Sequence, residues 1–162
     1  MIRPALPADL PAIMAFWNPL IRNSMVTFNS IEKSLPDMHD MLATRAAAGQ
    51  ALLVAEQAGA VVGFATYSQF RGGIGYAHTV EHTIILAEAA RGQGVGRALL
   101  TATEDHARAQ GAHSIFAGVS GGNPQGRAFH AAMGYRLAAT LPEGGTKFGR
   151  WWDLWLMQKF LS

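Results

Sequence analysis

The run Arg91-Gly92-Gln93-Gly94-Val95-Gly96 places a glycine at every second position. A packed strand tolerates this poorly, because each glycine gives up side-chain contacts and costs backbone entropy. Thr83-Ile84-Ile85-Leu86 before it reads as a strand, while Val95, Leu99, Ala102 and Ala109 after it recur at helical spacing as far as Gly111. The glycines are therefore expected in a strand-to-helix turn. Bare N–H groups and the positive end of a helix dipole make such a turn an anion site, with a pyrophosphate as the expected occupant. Just upstream, His78-Thr79-Val80-Glu81-His82 has the H-x-x-E-H spacing of a zinc site. That spacing needs a helix, where i and i+4 share a face. The β-branched Thr79, Val80, Thr83, Ile84 and Ile85 favour a strand, on which the two histidines stand about 13 Å apart, too far to share a metal. No metal site is expected. Glu81 is then an acidic residue in a core strand, costly unless it is paired or does chemistry.

These groups need a scaffold. Ile2-Arg3-Pro4-Ala5 reads as an edge strand, and Asp9 with Pro11 opens a helix with Leu10, Ile13, Met14 and Trp17 on one stripe, ended by Asn18-Pro19. The stretch from Ile21 to Ile31 lacks a period and is either a plug on the core or a wall of a substrate pocket. Ser34-Leu35-Pro36-Asp37 has capping-box spacing and starts a helix that runs to Gly49. Two strands, from Ala51 to Ala55 and from Val61 to Tyr67, flank the short link Gln57-Ala58-Gly59-Ala60, which predicts a hairpin. The glycine-rich loop from Phe70 to Gly75 leads into a long strand from Tyr76 to Leu86. After the helix that follows the 91–96 turn come a strand from Ser114 to Val119 and a helix capped by Asn123-Pro124 and ending at Met133. A strand starting at Gly134-Tyr135 and an aromatic strand from Trp151 to Phe160 close the chain. The order predicts one α+β domain over residues 1–162, with a mixed, mostly antiparallel sheet and about four helices.

Composition narrows the classes. The chain of 162 residues is 49% hydrophobic and 15% charged, which excludes disorder and is ample for a core. It has no cysteine, so thiolate nucleophiles and disulfides are excluded. A net charge of +2 without a run of Lys or Arg argues against a nucleic-acid partner. No stretch approaches a membrane span or a signal peptide, and a cytoplasmic protein is expected. Two nucleotide motifs fail. The dinucleotide fingerprint breaks at Arg97, and Gly121 to Gly126 has P-loop spacing but continues with Arg127-Ala128 instead of lysine and a hydroxyl.

The Arg91-to-Gly96 turn resembles the Arg/Gln-x-x-Gly-x-Gly/Ala loop of the GNAT N-acetyltransferases. Gly75 through Thr83 and Phe148-Gly149-Arg150-Trp151-Trp152-Asp153 are similar to the phosphinothricin and methionine sulfoximine acetyltransferases within it. The resemblance covers essentially the whole chain. It implies acetyl-CoA as co-substrate, with its pantetheine on the strand at Ile84, Ile85 and Leu86 and its pyrophosphate on the loop of Arg91, Gly92, Gln93, Gly94, Val95, Gly96 and Arg97. Asn123 is a further expected pantetheine ligand. The acceptor implied is the α-amine of a small amino-acid analogue such as phosphinothricin, methionine sulfoximine or methionine sulfone, and the assembly a homodimer.

Acetyl transfer needs a neutral amine and a proton for the leaving thiolate. Glu81 is the expected base, acting through a water; a structural salt bridge is its alternative. His130 stands where many family members carry a tyrosine acid, four residues before Gly134, and is expected to protonate the thiolate unless it only faces solvent. A substrate carboxylate calls for a cation. Arg71 is the first choice and Arg150 the second, with Phe28, Tyr76 and Thr79 lining the acceptor site. The tryptophans 151, 152 and 155 are assigned to core or dimer interface. Two other functions stay open: acetylation of a peptide N-terminus or polyamine, and an acyl-CoA sensor without turnover.

Overall fold

The computed structural model describes residues 1–162. Seven strands form one sheet: β1 (Ile2–Pro4), β2 (Leu52–Gln57), β3 (Ala60–Gln69), β4 (Thr79–Leu86), β5 (Ser114–Ser120), β6 (Arg136–Lys147) and β7 (Arg150–Phe160). Their order is β1-β2-β3-β4-β5-β7-β6. Every pairing is antiparallel except β4 with β5. Four helices cover the sheet: α1 (Leu10–Asn23), α2 (Leu35–Ala47), α3 (Val95–Ala109) and α4 (Pro124–Ala132). The α+β class expected from the sequence is the one found. No helix is long and apolar enough to cross a membrane.

The sheet buries both faces. On one, Leu10, Ile13, Trp17 and Ile21 of α1 and Met38 of α2 pack on Val54, Phe64 and Ile85. On the other, Leu99, Leu100 and Ala107 of α3 pack on Tyr67, Val80, Ile115 and Met157. The alternation of each strand supplies both faces at once.

Local chemistry explains several joints. Ser34 accepts from the Asp37 N–H while Asp37 accepts from the Ser34 N–H, which is the expected capping box. Ala58 and Gly59 both have positive φ, 51° and 78°, the geometry a two-residue hairpin requires. Phe148 and Gly149 repeat it, at 55° and 71°, between β6 and β7.

Three expectations are corrected and a fourth is narrowed. Pro19 does not end α1, which runs on to Asn23. Proline removes one N–H, but Ile21 continues the stripe past it and is fully buried, so packing outweighs the lost bond. Asp9 stands at the start of α1 without capping it. Its carboxylate turns back instead to the Arg3 guanidinium and the Leu6 N–H. The strand expected from Tyr76 begins only at Thr79, because Ile74–Tyr76 is a 3₁₀ turn entered through Gly73 at φ 107°. Of the two places expected for Trp151, its 66% exposure excludes the core and leaves the interface.

Candidate active site

Parallel β4 and β5 pair only from Thr79–Ser114 to His82–Ala117. Beyond that rung β4 continues to Leu86 bonded to β3, and β5 continues to Ser120 bonded to β7. The strands splay, and the wedge between them is a cleft of about 930 Å³ whose walls include Glu81 to Leu86 and Ala117 to Ser120. Along the wedge the facing backbone groups of both strands are free of each other, so an extended ligand can pair with them as a strand would.

The glycine turn lies at the far end of β4. Gly92 and Gly94 have φ of 74° and 80°, which side-chain-bearing residues rarely adopt. Gly94 is the N-cap of α3 and supplies no side-chain cap, so the first N–H groups of that helix stay open to an anion. Arg91, Gly92, Gly94, Gly96 and Arg97 line the cleft. A Cβ on Gly96 would come within 3.2 Å of both Leu86 and Phe129, so glycine there lets the helix start close to the strand. Gln93 and Val95, both expected binders, are outside the lining. Gln93 ties the turn to the Ala89 carbonyl and the Gln57 side chain, and Val95 packs on the core.

Glu81 and His82 occupy the last paired rungs and point to opposite faces. The Glu81 carboxylate makes no ion pair, and burial alone raises its pKa above the usual carboxylate range. This removes the salt-bridge alternative. Opposite it lies Gly118, where a Cβ would sit 2.8 Å from Glu81 Oε2. The missing side chain leaves the carboxylate room on the cleft side.

His82 faces α4. Its ring stacks on His130 with centroids 5.1 Å apart, and the two Nε2 atoms are 3.2 Å apart. His130 Nδ1 is 2.7 Å from the Gly126 carbonyl. A carbonyl only accepts, so the His130 proton is on Nδ1 and its Nε2 accepts from His82 Nε2–H. The His82 Nδ1 lone pair is then buried without a partner. Burial pushes His82 down to about 3, and burial also lowers His130. His130 is thus buried and not solvent-facing, yet it lines the cleft together with Asn123. Each of its nitrogens contacts a protein atom. Asn123 lines the cleft, but its Oδ1 is spent on the Gly126 N–H as the cap of α4. Only its amide NH₂ is left to reach a ligand.

On the Glu81 face the cleft is walled by Val26 to Asn29, Lys33 and Leu154. Phe28 is there as expected. Arg71, Tyr76 and Thr79 are not: the Phe70 N–H bonds the Thr79 carbonyl at the closed end of the wedge. The Arg71 guanidinium lies 5.6 Å from the centroid of the exposed Tyr76 ring. Arg150 likewise stacks on Trp152, outside the lining. Lys33 is the cation the sequence reading missed. Its ammonium stands 5.3 Å over the Trp17 ring, and its backbone is held on both sides by the Asn18 amide. It lies two residues beyond the aperiodic stretch from Ile21 to Ile31 and carried no signal of its own.

A splayed parallel pair with a glycine turn at a helix start is the frame expected of an acyl-CoA cleft. The model of the acetyltransferase (GNAT) family matches residues 18–135. The chain belongs to the GNAT acetyltransferase family. It is 39% identical over 158 residues to an L-methionine sulfoximine/L-methionine sulfone acetyltransferase of Pseudomonas aeruginosa, covering 97% of this chain and 92% of that one. Among solved structures, a GNAT phosphinothricin acetyltransferase from Sinorhizobium meliloti in complex with AcCoA superposes with a TM-score of 0.94 at 33% identity, covering 100% and 88% of the two chains. A ribosomal-protein-alanine N-acetyltransferase from Brucella melitensis superposes with a TM-score of 0.95 at 40% identity, covering 99% of each. Within this GNAT acetyltransferase the wedge, the glycine turn and Glu81 therefore form one candidate active site.

Proposed function

We propose that the protein transfers an acetyl group from acetyl-CoA to the α-amine of a small amino-acid analogue of the methionine sulfoximine, methionine sulfone or phosphinothricin type. The observation that carries this reading is an unpaired, half-buried carboxylate at the apex of a cleft whose other end is an uncapped helix start. The names of the relatives at 33–39% identity support the acceptor class.

The residues fit the co-substrate. The free β4 edge at Ile84, Ile85 and Leu86 suits pantetheine amides. The open N–H groups after Gly94, with Arg91 and Arg97 beside them, suit a pyrophosphate. The Asn123 amide faces the same cleft. Bound there, acetyl-CoA supplies an acyl group activated as a thioester. Glu81 takes the amine proton, directly or through a water, as the C–N bond forms and the C–S bond breaks. An amine one to two pK units above pH 7 costs only about 1.4–2.7 kcal/mol to deprotonate, so placing it beside Glu81 matters more than the basicity of the carboxylate. The thiolate, of pKa about 8.5, leaves readily, and His130 in the cleft lining returns its proton when it carries one on both nitrogens. Phe28 lines the acceptor side and Lys33 supplies a cation for the carboxylate. The proposal includes a single domain and a homodimer in the cytoplasm, on family resemblance; light scattering measures the assembly.

A second reading, acetylation of a peptide N-terminus, is favoured by the name of the Brucella relative. An acceptor panel separates the readings by release of CoA thiol. Turnover of methionine sulfoximine, methionine sulfone or phosphinothricin is expected. Turnover confined to an alanine-first peptide or a polyamine overturns the acceptor class, and acetyl-CoA binding without thiol release in any arm means a sensor.

A further inference from the structure

Lys147 is 4% exposed, near the end of a strand that is otherwise largely open to solvent. Its ammonium meets no carboxylate. Instead Nζ donates to the Ser24 and Thr27 carbonyls, each at 2.7 Å, and lies 5.2 Å from the Phe148 ring centroid. Burial without a counter-ion lowers its pKa. A lone buried ammonium is costly, and simple sheet pairing does not need one.

What it holds is the segment after α1. The contacts around it converge on the same few residues from three strands. Ser120 Oγ of β5 donates to the Met25 carbonyl at 2.6 Å. Trp152 of β7 donates its indole N–H to the Lys147 carbonyl at 2.9 Å, fixing the backbone that carries the ammonium. At Gly145 of β6 a Cβ would lie 2.5 Å from the Phe28 ring, so that glycine is the seat on which Phe28 rests. The segment so held supplies Val26, Thr27, Phe28 and Asn29 to the cleft wall on the Glu81 side.

We propose that Lys147 is a positioning residue for acceptor binding. By bonding two carbonyls of the segment from Ser24 to Thr27, it sets where Phe28 and its neighbours stand over Glu81. It touches neither acceptor nor acetyl-CoA. This rests on the acceptor site assigned above, and it predicts a one-sided defect: a loosened wall blurs the acceptor site and leaves the β4 edge and the glycine turn as they were.

The test uses the full chain with Lys147→Met, which keeps the stem and removes the donors. The KM for methionine sulfoximine is expected to rise about tenfold, with the KM for acetyl-CoA within about twofold of wild type. Hydrogen exchange at the amides of residues 24–29 is expected to accelerate, while exchange in α3 is unchanged. Gly145→Ala, which displaces Phe28 and leaves the ammonium in place, is expected to reproduce the KM split and serves if Lys147→Met fails to fold. Unchanged exchange with both KM values unchanged overturns the proposal, and so does a KM for acetyl-CoA that rises in parallel. Where wild type acetylates a different amine, the acceptor class is wrong, and Lys147 is judged by the same KM split on that amine.

Discussion

Glu81→Gln isolates the chemistry from the packing. The carboxylate lies between β4 and Gly118 with no ion pair to lose, and the amide fills the same space. A positioned general base is worth about 10²–10⁴ in rate, or about 2.7–5.5 kcal/mol. The low end applies here, since the carboxylate need only receive a proton from an amine a few pK units away. We expect kcat/KM at pH 7 to fall about 100-fold. The deficit should shrink as pH rises, because the neutral fraction of the amine grows about tenfold per unit below its pKa and replaces the base. Acetyl-CoA affinity, measured by calorimetry, should stay near wild type. Stability supplies an independent check. A carboxyl whose pKa is higher folded than unfolded binds more protons when folded. Its contribution is fully present below the unfolded pKa and is lost as pH rises through the raised folded value. The variant escapes that loss, so its Tm should exceed the wild type's at pH 7 and converge with it near pH 4. An unchanged kcat/KM across pH, or a variant less stable at pH 7, would refute the argument. The second result would mean that Glu81 has a structural partner.

The buried histidine pair sets the opposite pH trend. His82 and His130 have pKa values lowered by burial, so the unfolded chain binds more protons than the folded one as pH falls below about 6.5. Stability should therefore drop with acidification, and His82→Leu should flatten the slope by up to about 1.4 kcal/mol per pH unit in urea titrations; an unaltered slope would mean the pair is not held neutral. Gly118→Ala places a methyl group 2.8 Å from Glu81 Oε2. The carboxylate must swing away, so kcat/KM should fall about tenfold with little change in Tm, and full activity would show that its position is not critical.

Features written in neighbouring residues were legible in the sequence. The Ser34–Asp37 cap, the Ala58-Gly59 turn and the Gly94 start of α3 each depend on a few adjacent residues, and each is found. Features decided by distant packing were not. Pro19 reads as a stop, and only the burial of Ile21 against the sheet carries the helix through it. Pro142, Gly144 and Gly145 are residue types that disfavour a strand, yet β6 continues through them because a register shift against β7 absorbs the irregularity. Arg71 and Tyr76 adjoin the strand of Glu81 in sequence and still miss the cleft. Which end of β4 opens depends on where its pairing with β5 stops, and one strand alone does not encode that. Lys147 left no signal at all, since its partners are the Ser24 and Thr27 carbonyls, more than a hundred residues upstream.

The last paired rungs of the wedge tie these features together. Glu81 and His82 are adjacent, and strand alternation sends them to opposite faces. One goes to the side walled by Phe28 and Leu154, the other to the side held by α4. The same short stretch therefore places a proton acceptor where an amine would enter and fixes the helix whose cap, Asn123, lines the other wall. A slip of one residue in β4 would exchange them. It would leave an imidazole facing the acceptor and force a carboxylate against His130 and Tyr135, where Glu104 already bonds the Tyr135 hydroxyl at 2.8 Å. A second carboxylate there would have no cation to meet, because Lys159 is taken by Glu104 at 2.8 Å. The Glu104–Tyr135–Lys159 group thus penalises the wrong register, and the face that Glu81 takes is enforced partly by residues on the face it does not occupy.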